Sequence, residues 1–278
     1  MQTRALCPPA GDHEGRPYNP NGAVNSMPQI SATVITHNEA PNMPRVLRSL
    51  ACADEVVVVD SGSMDGTAEI AASLGARVVE HGWPGFAAQK NFAASQARFP
   101  WILSLDADEE LNAEAQAALE QWKKTEPAAA GYSFRRRAYY LGHWIRHSGW
   151  YPDWKIRLYD RDHGEWKGRY VHESVAVTGQ VEALAGEILH YTCDSLEDHQ
   201  RRIEFYTDLA ARELEETGGG VNSMRRALAP SWTFLNTYFF RLGILDGYPG
   251  FLISRMAARY VARKYQKWAE LRAENRAH

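Results

Sequence analysis

Cysteine is scarce in this chain, with three in 278 residues at Cys7, Cys52 and Cys193. No Cys-x-x-Cys pair and no Cys/His spacing marks a zinc site, and an odd, scattered set makes no disulfide framework. A reduced, cytosolic compartment suits that usage. Long apolar runs are also missing. The most apolar stretch, Trp232 to Met256, is broken by Arg241, Asp246 and Pro249. It falls short of the roughly 18 clean apolar residues of a spanning helix. The N-terminus is polar and carries several prolines, so no secretory signal is expected there. Charge of one sign is absent too. Thirty-one Lys and Arg face 34 Asp and Glu, for a formal net charge of −3, and no whole-protein field points to nucleic acid. No internal repeat is visible. No Gly-x-Gly-x-x-Gly follows the first strand and no Gly-x-x-x-x-Gly-Lys-Ser/Thr occurs, which disfavours dinucleotide oxidoreductases and P-loop nucleotidases.

What is present is apolar and aromatic: 45% hydrophobic residues, 11% aromatic, and nine Trp. That suffices to core one large domain or two small ones. Residues 1–27 mix Pro, Gly, Asn and charge without periodicity and are expected to be a disordered tail. From about Pro28 a βα rhythm sets in. Ile30 to Thr36, Glu55 to Asp60, Ala76 to Glu80 and Trp101 to Leu105 read as strands, several of them continuous apolar runs buried on both faces. Met43 to Leu50, a segment opened by Asp65-Gly66-Thr67 and stopped at Gly75, and Phe86 to Ala97 read as the helices between them. This alternation predicts an α/β fold with an open, mostly parallel sheet and flanking helices. After about residue 130 the pattern changes. Tyr132 to Tyr140, Lys155 to Tyr159 and Val171 to Val177 read as strands, separated by turns and aromatic loops. Leu196 to Thr217 reads as a helix stopped by Gly218-Gly219-Gly220. The last fifty or so residues read as helical, basic and aromatic.

In open α/β sheets, ligands collect at the carboxyl ends of the strands. Those ends here carry Thr36, Asn38 and Glu39, then Asp60, Ser61 and Asp65, then Asp106 and Asp108. Two carboxylates two residues apart at a strand end suit Mg2+ or Mn2+, which also take phosphate oxygens. Alone, Asp-x-Asp is a common surface turn; after an apolar strand, with other carboxylates on the same rim, it reads as a metal and phosphate site.

Thr36-His37-Asn38-Glu39, Val59-Asp60-Ser61-Gly62-Ser63-Met64-Asp65-Gly66-Thr67, Gln89-Lys90-Asn91 and Asp106-Ala107-Asp108 occur in this order over about residues 30–110. With them the chain resembles glycosyltransferase family 2, of the GT-A fold. Trp150-Tyr151-Pro152-Asp153, Arg157-Leu158-Tyr159 and Val171-His172-Glu173 are similar to bacterial lipopolysaccharide-core glucosyltransferases that act on inner-core heptose. The resemblance implies a GT-A catalytic domain over residues 28–200, with a nucleotide-sugar half at 28–130 and an acceptor half at 131–200. A helical, basic region at 201–278 follows. It implies that Asp60 accepts from the uracil imide, that Glu39 and Thr36 line the uridine pocket with Asn38 and Ser61, and that Lys90 lies near the base or diphosphate. Asp106 would approach the ribose and the metal, and Asp108 would ligate the metal that bridges the phosphates.

An inverting transfer needs a carboxylate to take the proton of the attacking acceptor hydroxyl. The candidates are Glu173 and Asp153. His172 could complete the metal shell or contact the phosphates, and an imidazole ligand would favour Mn2+ slightly over Mg2+. The basic and aromatic stretch from Arg135 to Tyr151 admits three readings. It could be a solvated strand face with core aromatics, a nucleic-acid surface, or an acceptor site for an anionic sugar. The last has Trp150, Tyr151 and Arg157 as contacts, with Arg well suited to phosphate. The segment from Met224 is rich in Lys, Arg and aromatic residues and suits the surface of an anionic inner membrane, or else a helical cap.

The expectation is an inverting hexosyltransferase that moves glucose from UDP-glucose to a membrane-borne glycan such as lipopolysaccharide core heptose. It would use Mn2+ or Mg2+, bind no nucleic acid, and sit in the cytoplasm at the inner face of the inner membrane. Two rivals are a metal-dependent nucleotidyltransferase and a non-catalytic sugar-binding membrane scaffold.

Overall fold

The computed structural model describes residues 27–168, 173–193, 195–217 and 221–277. Apart from Met27, the expected tail lies outside the described residues. So do Val171 and His172 of the expected strand Val171–Val177, and the glycine stop at residues 218–220.

The first half follows the predicted alternation. Its elements are β1 (Ile30–Thr36), α1 (Met43–Ser49), β2 (Glu55–Asp60), α2 (Thr67–Ser73), β3 (Arg77–Glu80), α3 (Phe86–Ser95) and β4 (Trp101–Asp106). The strands stand side by side in the order β3-β2-β1-β4, all parallel. Every residue of β1 is buried, as expected of a parallel strand with helices on both faces. Alternate side chains take opposite faces. Ile30, Ala32 and Val34 join Met43, Val46 and Leu47 of α1 and Ala71 of α2 on one side. Ile35, Val57 and Val59 pack against Ala93 of α3 on the other. The strand order reverses between β1 and β4, the switch point where a crevice opens at the carboxyl ends. Registry aligns those ends, with Thr36 opposite Asp60 and Ile35 opposite Asp106.

The second half adds β5 (Glu109–Leu111), α4 (Ala113–Trp122), β6 (Gly131–Tyr140), β7 (His143–Trp144), β8 (Asp153–Asp160), β9 (Gly164–Lys167), β10 (Ser174–Val177) and β11 (Val181–Cys193). The sheet continues from β4 through β8, β6 and β11 to β5, with β7 paired to β6. β8 runs antiparallel to both β4 and β6. Three features depart from the sequence reading. The segment from Gly164 to Gly168, which lies among the turns expected between strands, holds β9, which pairs antiparallel with β10 as a separate ribbon. Helix α4 and the thirteen-residue strand β11 were not anticipated. Asn112 caps α4 by accepting from Ala115 N at 2.8 Å, the usual way to satisfy a free helix N–H. Gly186 (φ +89°) bulges β11 where a Cβ would come within 2.2 Å of Ala115 N.

The C-terminal region holds α5 (Leu196–Glu216), α6 (Ser223–Leu235) and α7 (Gly247–Ala277). A π turn at Asn236–Phe240 and a 3-10 turn at Gly243–Asp246 make an elbow between α6 and α7. Glu204 of α5 binds Arg263 at 2.7 Å and Lys267 at 3.2 Å on α7. Leu252 and Ile253 of α7 pack with Tyr140, Ile145 and Cys193, which fastens the helices to the sheet. No described helix is long and apolar enough to cross a membrane.

Candidate functional site

A cleft of about 1000 Å³ lies over the β1/β4 switch point. Its wall takes Thr36, His37 and Glu39 from the end of β1, Ser61 after β2, Lys90 from α3, and Asp106 and Asp108 after β4. Arg157 and Trp166 come from β8 and β9, Glu173 from the residue just before β10, and His190 from β11. Arg202, Phe205 and Tyr206 of α5 close it from the helical side.

The two loops beside the donor end are laced together. Asn38, at φ 56°, accepts from Met64 N at 2.9 Å, and its own N–H donates to Ser63 Oγ at 2.8 Å. Glu39 N–H donates to Thr67 Oγ1 at 2.9 Å. The Asp60 carboxylate accepts from Gly62 N at 3.0 Å and Ser63 N at 2.8 Å. Asp60 is therefore buried and holds its own turn, and neither Asp60 nor Asn38 is on the cleft wall. Glu39 is on it. Burial raises its pKa, Asn42 opposes by donating at 2.6 Å, and the Asp108 charge adds to the rise.

The Gln89-Lys90-Asn91 run works as a staple. Gln89 Nε2 donates to Ser61 Oγ at 2.9 Å and to His81 O at 3.2 Å. Lys90 Nζ meets Asp106 at 2.7 Å and Glu173 at 3.5 Å, and lies over the Trp166 ring at 4.1 Å. Asn91 exchanges two 2.9 Å hydrogen bonds with the Trp166 backbone.

From Lys90 an alternating line of charges runs through the interior to Asp153. Lys90 pairs Asp106, and Arg157 pairs Asp106 at 3.0 Å and Glu109 at 2.7 Å. Arg136 pairs Glu109 at 3.3 Å and Asp153 at 2.7 Å. Buried charges persist only where opposite charges and hydrogen bonds compensate the lost water. Burial alone would raise the Asp106 pKa, but Lys90 and Arg157 beside it hold it well below the usual carboxylate range. The strand ends at Asp106, and Asp108 sits in the following turn, yet both carboxylates face the same cleft. Asp108 is also held low, against burial, by His190, whose Nε2 lies 3.3 Å from Oδ2.

That pair is the best test of metal fit. Two ligands at adjacent positions of an octahedral ion, each about 2.1 Å from it, lie about 3 Å apart, close to the 3.3 Å seen between Asp108 and His190. No cluster of three or more His, Cys, Asp or Glu ligands exists among the described residues, so phosphate oxygens and water would complete the shell. Mg2+ and Mn2+ sites that work on phosphates are commonly built this way.

Of the residues singled out from sequence, the cleft gathers Thr36, Glu39, Ser61, Lys90, Asp106, Asp108, Arg157 and Glu173. Arg157 is 3% exposed and turned to Asp106 and Glu109. Asp153 is off the wall, bound to Arg136 and to Lys155 at 3.1 Å. Trp150 packs edge-on against Tyr140, and Tyr151 donates to Glu187 at 2.7 Å; neither lines the cleft. His172 lies outside the described residues. The sequence reading missed His190, Glu109, Trp166, Arg202 and Tyr206, and held Arg136 only as part of the basic stretch that starts at Arg135. Glu109 directly follows the acidic motif and was open to suspicion; Arg202 sits among other charges on a helix and carries no local mark.

The model for glycosyl transferase family 2 matches residues 31–176. An uncharacterised glycosyltransferase of Rickettsia prowazekii is 31% identical over 240 residues, 82% of each chain. The lipopolysaccharide core biosynthesis glycosyltransferase LpsC of Rhizobium meliloti is 30% identical over 260 residues, 86% of this chain and 93% of LpsC. Among solved structures, a mannosyltransferase from Pyrobaculum calidifontis, in complex with GDP-mannose and Mn2+, superimposes with a TM-score of 0.53. It covers 88% of each chain at 16% identity, a likeness of fold alone.

Proposed function

The chain belongs to glycosyltransferase family 2, and from that premise we propose an inverting, metal-dependent hexosyltransferase. It would move glucose from UDP-glucose onto a membrane-borne glycan, with lipopolysaccharide core heptose as acceptor. One observation carries the reading: Glu173 and the Asp106-Ala107-Asp108 motif face one cleft, with Lys90 between them. LpsC supplies the analogy for the acceptor. On this reading the enzyme works at the cytoplasmic face of the inner membrane.

The residues then take these parts. Glu39, Thr36 and Ser61 border the uridine end, with Asn38 and Asp60 shaping the loops around it. Asp108 and His190, with Asp106, would hold Mn2+ or Mg2+, and His172 is a further candidate for the shell or the phosphates. When bound, the metal neutralises charge on the departing diphosphate. Lys90 and Arg202 add fixed positive charge where negative charge develops, in a partly enclosed site where such charges count most. Glu173 is preferred over Asp153 as base, because Glu173 lines the cleft while Asp153 does not and is occupied by Arg136 and Lys155. The acceptor hydroxyl loses its proton to Glu173 as its oxygen bonds to the anomeric carbon. The bond from that carbon to the diphosphate breaks on the opposite face, and UDP leaves with its electron pair.

The test is a screen of nucleotide sugars for Mn2+-dependent UDP release by the purified protein, with and without inner-core lipid acceptor. UDP-glucose with the heptose acceptor should give the fastest release. Glu173→Gln should lower transfer by roughly 10²–10⁴-fold, the usual worth of a general base, with donor affinity unchanged. Near-normal turnover of that variant would remove Glu173 from the role.

A further inference from the structure

Helix α6 presents its apolar stripe to solvent. Met224, Leu228, Trp232 and Leu235, with Phe239 just beyond, recur at the three- and four-residue spacing that puts side chains on one helix face. In a helix packed on a core that stripe turns inward, but no residue of α6 is buried, and Trp232 and Leu228 are 58% and 60% exposed. The elbow continues the surface, with Phe240 71%, Leu245 64% and Tyr248 70% exposed. Contiguous apolar surface of this kind marks an interaction site.

The charge around it is one-sided. Between residues 221 and 259 there are five arginines (225, 226, 241, 255 and 259) and one acidic residue, Asp246. Asp246 is spent, since it accepts from Arg146 N at 3.1 Å, His147 N at 3.0 Å and Ser148 Oγ at 3.0 Å. Those bonds also buckle the elbow to the loop before β8, so the surface is fixed relative to the cleft and does not trail from it.

We propose that the elbow of α6, the two turns and the start of α7 docks the protein on an anionic bilayer. Trp232, Phe239, Phe240 and Leu245 lie among the headgroups and upper acyl chains, and Arg225, Arg226, Arg241 and Arg255 meet the lipid phosphates. Aromatic and aliphatic side chains bracketed by arginine are what an interfacial segment needs. The absence of a spanning helix among the described residues fits docking on the surface. A second copy on this face would set arginines against arginines with no free carboxylate between them, so self-association is disfavoured. The inference deepens the proposed reading, on which it rests only for the acceptor's location in a membrane.

The experiment is co-sedimentation of the full chain, without nucleotide, with vesicles of phosphatidylcholine alone and of equal parts phosphatidylcholine and phosphatidylglycerol. The wild type should bind the anionic vesicles, and binding should weaken steeply with added salt. Phe240→Ser combined with Leu245→Ser should weaken binding roughly tenfold or more through lost apolar burial. Both side chains are exposed, so folding and UDP–Mn2+ affinity should be unchanged. Three results overturn the proposal: no binding to anionic vesicles at low salt, equal binding to neutral ones, or unaltered binding by the double variant. A wild-type dimer that the double variant converts to monomer, with no vesicle binding by either, assigns the face to self-association and also overturns it. Vesicle binding and UDP binding are read separately, so failure of the donor reading leaves this result standing, and the reverse.

Discussion

Glu109 shows how much of the site depends on a residue that is not on the cleft wall. It is fully buried, accepts from Asp106 N at 3.1 Å, and binds both Arg157 and Arg136. The line Lys90, Asp106, Arg157, Glu109, Arg136, Asp153 alternates in sign, so each buried charge is flanked by opposite ones. Removing one member leaves its neighbours buried without compensation, which costs far more than the pair contributes when intact. Glu109→Gln keeps the volume and removes the charge. It should destabilise the protein by about 3–5 kcal/mol, read as a lower urea midpoint with unchanged m-value. A loss under about 1 kcal/mol would show that water or side-chain movement reaches Arg157, against its enclosure. The same logic explains why Arg157, expected as an acceptor contact, is better understood as the cation that fixes Asp106 in place.

At the scale of elements, the β9–β10 ribbon stands apart from the main sheet and carries Trp166, with Glu173 at its near end. Its hydrogen-bonded tie to α3 is the pair of bonds between Asn91 and the Trp166 backbone, beside the Lys90 contacts with Glu173 and the Trp166 ring. Asn91→Ala should cost about 1–3 kcal/mol, and it should speed amide hydrogen exchange in β9 and β10 more than in β1 or β4. Because Glu173 rides on that ribbon, kcat should fall more than donor affinity. Uniform exchange across the sheet would mean that the ribbon is held elsewhere. The elements also show where sequence is legible. The runs Glu55–Asp60 and Trp101–Asp106 announce buried parallel strands, and their polar ends announce the rim. Strand β11 was hidden because the Gly186 bulge shifts its register between Ala183 and Glu187, so its alternation changes phase midway. With β11 unseen, His190 could not be placed beside Asp108. Helix α4 carries Ala115, Leu119 and Trp122 at helical spacing behind an Asn cap, a signal diluted by alanine. Carboxylates such as Asp60 and Asp153 were visible as residues, but their partners, which decide what they can do, were brought by loops and a crossing strand.

For the whole molecule the question is what holds the helical side over the cleft. α5 supplies Arg202, Phe205 and Tyr206 to the wall, and its first turns meet the sheet at His199, whose Nδ1 lies 2.8 Å from the Tyr140 hydroxyl. Trp150 stands near both rings, and Leu252 and Ile253 of α7 complete the packing around Tyr140. Burial pushes the His199 pKa down from 6.5 to about 4, with Arg202 adding to the fall and Asp198 opposing it. In the unfolded chain the ring takes up its proton near pH 6.5. Between pH 6.5 and 4 the unfolded state therefore binds a proton that the folded state refuses, and stability falls as pH falls through that window. Below about pH 4 both states are protonated, and this group adds no further change. The limiting slope for one proton is about 1.4 kcal/mol per pH unit, and the partial exposure of the ring narrows the window over which it acts. His199→Asn keeps a polar group within reach of the Tyr140 hydroxyl and removes the titration. The wild type should lose more thermal stability between pH 7 and pH 4.5 than this variant does, and the two curves should converge in slope above pH 7. Parallel curves through the acid range would show that His199 is protonated in the fold. In that case the junction of sheet, α5 and α7 would be held by a charge and not by a buried neutral ring.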